Sequence, residues 1–368
     1  MATIVSANAR SAPDGAMLRS MAEKIAIPLG AVLVSALIFS LFLLLLGKSP
    51  IDYFRLVWTG GFGTSFSFQN TLQRASPLIL AALAFAIPAQ LGLTVLGGEG
   101  ALVLGGFAAA AIGVPLVQAG VPPILTMPLM ALAAMAAGGA WMSIAGWLRH
   151  SRGVNETISS LLLTYIAIAI MNFFVEGALR DPASANKPST VPVGKDYMVG
   201  NIPGTDVHWG LVAGIVMAVF LQFLMSRTTF GFAARVTGGN PRAALAQGLP
   251  VGFLVLACTA IAGACAGLAG YYEVGAIHGQ ANASLVAGYG FTGILVSFLA
   301  RHNPLVIVPV AILFGAIDAS GGLIQRRMAM PDATALVLQG ILFVVLLVSE
   351  TFYGRFKIFK QPAEAQRT

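Results

Sequence analysis

Three carboxylates interrupt long apolar runs in this chain: Glu99 in GGEGALVLGG, Glu273 in AGYYEVGAIHG and Asp318 in FGAIDASGG. Hydrocarbon does not solvate an ionised group, so acids at membrane depth turn towards protein, a cavity or a partner. Three isolated acids do not form a proton relay. Cys258 and Cys265 lie on one face of an apolar run and read as buried small residues, not as a disulfide or metal framework. His150, His208, His278 and His302 are scattered without metal-ligand spacing. The sequence contains no phosphate-cradling glycine loop, no HExxH motif and no nucleophile–base arrangement. The chemistry on offer is therefore passage and docking, not bond making, and no cofactor or metal is expected on this chain.

Two polar constellations remain. The first is GVNETISSLLLTYIAIAIMNFF, where Asn155 is a good N-cap and Glu156 complements the positive helix end. Along it, Ser160, Thr164 and Asn172 recur at multiples of four and share about 120° of a helix surface. That stripe faces either another helix, through hydrogen bonds, or a pathway. Glu99 carries the same ambiguity: it lines a pathway or breaks a helix, or it caps the helix that follows. The second constellation is GGNPRAALAQG. Asn240 is a good N-cap, Pro241 suits the first helical position, Gly248 suits a left-handed exit and Pro250 blocks continuation. The result is a helix about 10 Å long, too short to cross a membrane. Its faces are small (Ala243, Ala244, Ala246), and Leu245 alone is a poor lipid anchor. Docking into a groove on another protein is the favoured reading.

The elements that must carry these residues are membrane helices. Of 368 residues, 57% are hydrophobic and only 10% charged, and apolar runs long enough to span a bilayer recur along the chain. Ten spans are expected, near 25–47, 72–92, 97–115, 122–147, 157–179, 208–226, 251–272, 286–300, 303–323 and 332–350. The stretch 76–113, interrupted by Pro88, Gln90, Gly92, Gly97 and Gly98, is two helices or one helix broken inside the membrane. Gly263, Gly267 and Gly270 mark a tight packing face on the seventh span. Residues 1–24 and 351–368 read as tails around a transmembrane domain of 25–350. That domain has a long outer loop (181–207) and a cytoplasmic segment (227–250). With the N-terminus in the cytoplasm, thirteen of the 21 Lys and Arg residues fall inside, and both termini are cytoplasmic. The basic excess is a topology signal, not a nucleic-acid patch.

The segment TTFGFAARVTGGNPRAALAQGL resembles the cytoplasmic coupling segment of ABC-importer permeases of the branched-chain amino acid/simple sugar superfamily. GYGFTGILVSFLARHNPLVIVPVAILFGAI, GVNETISSLLLTYIAIAIMNFFVEGALRDP and GGEGALVLGGFAAA are similar to further segments of its nucleoside and simple-sugar branch, in the same order. The resemblance implies the all-α type II importer permease fold, with about ten transmembrane helices in two related repeats, in a bacterial inner membrane. It implies a second permease subunit, cytoplasmic ATPase subunits that hold the ATP and magnesium, and an extracytoplasmic binding protein. On that reading Thr229, Phe230, Gly231, Arg235, Gly239, Asn240, Pro241, Arg242, Ala243 and Ala244 couple to the ATPase. Gln90, Glu99, Ser160, Thr164, Asn172, Tyr289 and Phe291 line the translocation pathway. The expected solute is nucleoside-like or sugar-like. Alternatives are a pentose or branched-chain amino acid permease, or an ion-coupled secondary transporter. The chain departs from the family pattern at Ala101 for Gln, Thr292 for Asp, and ARHNP for Gly-Arg-Asn-Asn-Pro.

Overall fold

The computed structural model describes residues 14–184, 186–331 and 333–350; residues 1–13 and the expected C-terminal tail, 351–368, lie outside them. Among the described residues the fold is all-helical, apart from two isolated bridges, Ser189–Asn282 and Asn201–His208. In chain order the α-helices are α1 (Asp14–Leu45), α2 (Pro50–Phe62), α3 (Ser65–Ala89), α4 (Gly98–Gln118), α5 (Pro123–Arg152), α6 (Glu156–Glu176) and α7 (Gly210–Arg227). Then follow α8 (Thr229–Gly239), α9 (Pro241–Ala246), α10 (Val251–Tyr272), α11 (Tyr289–Leu299), α12 (Pro304–Met328) and α13 (Ala333–Glu350). A π-helical turn, Glu273–His278, extends α10. Among the described residues, eight stretches are long and apolar enough to cross a membrane, and two shorter ones, Ala283–Leu299 and Ala333–Ser349, complete the ten expected positions.

The chain divides into two units. In one, α1 packs against α13. The other holds residues 51–332. Its centre is α3 and α10, the most buried of the long helices. Around them α10 meets α5 and α4, while α3 meets α12, α11 and α7. Glycine sets the approach of α10. A Cβ added at Gly263, Gly267 or Gly270 would sit under 3.0 Å from the carbonyls of Gly138, Ala134 and Leu102 respectively. In lipid, such backbone-to-backbone contact replaces the hydrophobic drive that water would supply.

Several expected boundaries shift. Apolar length marks only the part of a helix in hydrocarbon, and the real helices continue into polar residues beyond it. Thus α1 starts at Asp14 rather than 25, and α5 runs to Arg152, closed by a left-handed Gly153. The stretch 76–113 is two helices with an irregular break at 90–97. The expected span 286–300 is only the eleven-residue α11. It rises about 16 Å, roughly half the hydrocarbon thickness. Two helices were not expected. The first is α2, whose Gly60 and Gly61 lie against Ser320 and Ala316 of α12. The second is α8, inside the segment 227–250. The loop expected outside, 181–207, is bonded over residues 190–199 to the π-helical turn after α10 and the residues that follow it. Thr190 N donates to Ala281 O, Val193 N to Gly279 O and Val199 N to Gly275 O. These bonds satisfy backbone groups that an irregular loop otherwise leaves to water.

Candidate functional site

The break between α3 and α4 organises the site. A backbone without helical bonds inside a membrane needs partners from its neighbours. Here α6 supplies them: Leu96 N donates to Ser160 Oγ at 2.9 Å, and Thr157 Oγ1 donates to Thr94 O at 2.8 Å. Asn155 caps the same helix, accepting from Thr157 N and Ile158 N, and Glu156 pairs with Arg149 at 3.2 Å. Thr164, fully buried, bonds back to Ser160 O. Its Cα leaves no room for a Cβ at Gly100. The polar start of α6 therefore serves the break. Asn172, half-buried, lies further along, beside the cluster of Met171 and Val175 with α4 and Leu285.

At the far end of the break stands Glu99. Its carboxylate is completely buried and accepts from Gly288 N at 2.7 Å and Gly290 N at 2.6 Å. It caps α11, some 190 residues downstream, while sitting in the first turn of α4, whose start has no side-chain cap. An anion at a helix N-terminus meets unpaired N–H groups and the positive end of the dipole together. Gly288 adopts φ 81°, and a Cβ on Gly290 would collide with the Glu99 backbone, which explains the glycines of GYG. Tyr289 is half-buried within electrostatic reach of Glu273, Arg74, Asp318 and Glu99, while Phe291 is exposed. Glu273 is buried and paired with His278 Nε2 at 3.4 Å.

At the near end, Gln90 Nε2 donates to His302 O in the turn joining α11 to α12. The break thus runs alongside α11, from the turn at its C-terminus to the cap at its N-terminus. That turn is strained: Arg301 and His302 have φ 52° and 56°. For L-residues this region costs about 1–2 kcal/mol each. His302 holds it. Its ring packs on Phe298 and Phe85, its Nδ1 lies 3.0 Å from Ser297 Oγ, and its N–H donates to Ser297 O. Burial, with Arg301 beside it, pushes the imidazole pKa down to about 4.

The expected coupling residues adjoin this near end. Thr228 caps α8 through Gly231 N, and Arg235 donates to the Met225 carbonyl at the end of α7. Gly231 has no space for a side chain against Met225. Thr229 is exposed and Phe230 half-buried. The last turn of α8 rests on the break: a Cβ on Gly238 would sit under 3.0 Å from Leu91. Gly239 is exposed, and Asn240 caps α9, accepting from Arg242 N and Ala243 N at 3.1 Å. Pro241 takes the first helical position, and Gly248 exits with φ 78°. Ala244 is buried against its own chain, whereas Arg242, Ala243, Leu245 and Ala246 face outward. Two residue groups that the sequence presents separately, Gln90/Glu99 and 229–244, thus meet across one irregular segment. Thr157, Gly288, Gly290, Arg301 and His302 were not among the expected site residues; the two glycines flanking Tyr289 and the non-glycine ARHNP turn were the available signals.

Among the described residues, eight stretches long and apolar enough to cross a membrane, with a break between α3 and α4 held by polar side chains, fit a polytopic membrane protein. The family model for the branched-chain amino acid transport system / permease component matches residues 67–347, and the chain belongs to that family, as a permease of the ABC-transporter type. It is 30% identical to the glucose ABC transporter permease protein of Haloferax volcanii over 90% of this chain and 89% of that one. It is 28% identical to a guanosine ABC transporter permease protein of Bacillus subtilis, covering 91% and 95%. A second guanosine permease protein of Bacillus subtilis is 26% identical, covering 77% and 91%.

Proposed function

We propose that this chain is one membrane half of an ATP-driven importer that carries a nucleoside-like or simple-sugar-like solute into the cytoplasm by alternating access. In this reading both termini are cytoplasmic and α8–α9 dock on an ATPase subunit, where ATP and magnesium bind. A second permease completes the pathway, and an extracytoplasmic binding protein delivers solute at the side of the 181–207 loop. The names of the glucose and guanosine relatives support the solute class. Two distinct guanosine permease proteins in one organism support a pair of unlike permeases.

The observation that carries the reading is the seam between α8 and the break, where Gly238 lies on Gln90 and Leu91. Force on α9 passes through α8 to the segment whose far end, Glu99, holds α11. Closing of the ATPase subunits then moves a broken helix instead of bending a continuous one. Replacing residues 240–244 with a Gly/Ser segment should leave ATP hydrolysis in the assembled complex while uptake of labelled solute falls to background. Normal uptake with that replacement sinks the assignment. Uptake by the chain alone, driven by a pH or sodium gradient, would support an ion-coupled transporter instead.

A further inference from the structure

A cavity of about 550 Å³ opens where the ends of α3 and α7, the last turns of α8 and the α11–α12 turn converge. Its polar lining includes Gln90, Gln222, Ser226, Arg235, Arg301 and Asn303, and no carboxylate of the described residues lines it. Its size falls in the range of small-molecule sites. The charged side chains of its lining are both arginines, Arg235 and Arg301. An arginine carries five N–H donors, and the bond from Arg235 to Met225 O uses one. Arg301 occupies a left-handed conformation that L-residues avoid, and it is held there by the anchoring of His302 between Phe298, Phe85 and Ser297. Strain kept in place by its surroundings at the edge of a cavity points to a position selected for what it presents there.

We propose that this cavity binds a phosphoryl group carried on a small molecule, with Arg235 and Arg301 as its charge partners. Guanidinium groups match phosphate oxygens in geometry and charge, and the amides of Gln90, Gln222 and Asn303 suit the uncharged remainder. A ligand here touches α8, the break and the α11–α12 turn at once, so its binding restrains the seam through which α9 acts. The cavity's cytoplasmic placement, the effect on the seam and the nucleoside or sugar class of the ligand rest on the import reading above; the binding itself does not. If the cavity's face is cytoplasmic, a kinase-type reaction there transfers the γ-phosphoryl group of a nucleoside triphosphate to a hydroxyl of the neutral nucleoside or sugar, releasing the nucleoside diphosphate, and the cavity then senses the accumulated phosphate ester.

The test is equilibrium binding to the full chain in phosphatidylcholine nanodiscs, with uridine 5′-monophosphate, uridine and inorganic phosphate as probes. The monophosphate should bind at least about tenfold more tightly than uridine, and Arg301→Asn should remove about that factor. Asparagine tolerates the left-handed turn, and the thermal unfolding midpoint checks that the variant is folded. If the midpoint falls, Arg301→Lys replaces it and should lose part of the binding, because an ammonium keeps the charge but not the planar fork of donors. Equal affinity for uridine and its monophosphate, or binding indifferent to Arg301 and to Arg235→Gln, overturns the proposal. Nanodiscs containing phosphatidylglycerol distinguish the source of the phosphoryl group. Competition with the monophosphate that depends on Arg301 assigns the site to a lipid headgroup, and absence of competition assigns it to a soluble ligand. Binding is read without transport, so a failed import reading leaves this result standing, and the converse also holds.

Discussion

Glu99 shows how much a single side chain can hold in a membrane. Its two oxygens satisfy two buried N–H groups of α11. Glu99→Ala leaves both unpaired at about 1–3 kcal/mol each, whereas Glu99→Gln keeps one acceptor and should lose less. Unfolding midpoints in detergent should rank wild type, Gln, then Ala; an Ala variant as stable as wild type would refute the cap. His302 gives a pH signature. Its folded pKa of about 4 lies below the unfolded value near 6.5. Between those values the unfolded chain binds more protons, so this residue's contribution to stability is full above pH 6.5 and is lost progressively towards pH 4. The unfolding midpoint should fall over that window, and His302→Asn should flatten the fall. Neither partnership could be read from the sequence. Glu99 and Gly288 are 189 residues apart, and spacing rules reach one or two helical turns.

Elements were legible where the signal was local. Asn155, Asn240 and Gly248 cap as their types dictate, because capping involves only the next three residues. The glycine face of α10 was equally visible, as spacing alone places Gly263 and Gly267 together. Length was less legible: α11 is apolar throughout, and hydropathy does not distinguish a half-crossing helix from a full one. α2 and α8 escaped because each is short and bears polar or small residues. The glycines give a sharp comparison. Gly→Ala at an open helical site stabilises by about 0.5–1 kcal/mol. Gly322 has nothing within 4 Å, so Gly322→Ala should leave the unfolding midpoint unchanged or higher. Gly267→Ala forces a methyl into the Ala134 carbonyl and should lower that midpoint by several degrees, with loss of assembled permease. Equal midpoints for the two variants would exclude the close approach of α10 to α5.

For the whole molecule, the ten apolar positions and the family followed from composition and from a few motifs, while the joining of the coupling and pathway residues needed three dimensions. The proposed orientation is directly measurable. Both native cysteines, Cys258 and Cys265, are buried, so single added cysteines report against a quiet background. A membrane-impermeant maleimide on intact cells should label Lys195→Cys in the outer loop and spare Leu245→Cys on α9; inside-out vesicles should reverse the pattern. The opposite result inverts the topology. The cap on α11 also bears on how such a chain is made. Glu99 enters the bilayer long before Gly288 and Gly290 are synthesised, so for most of translation the acid has no native partner. Nascent chains truncated before residue 288 should therefore be held by insertion factors or cleared by membrane proteases, and release should begin only once Gly288 and Gly290 have been made.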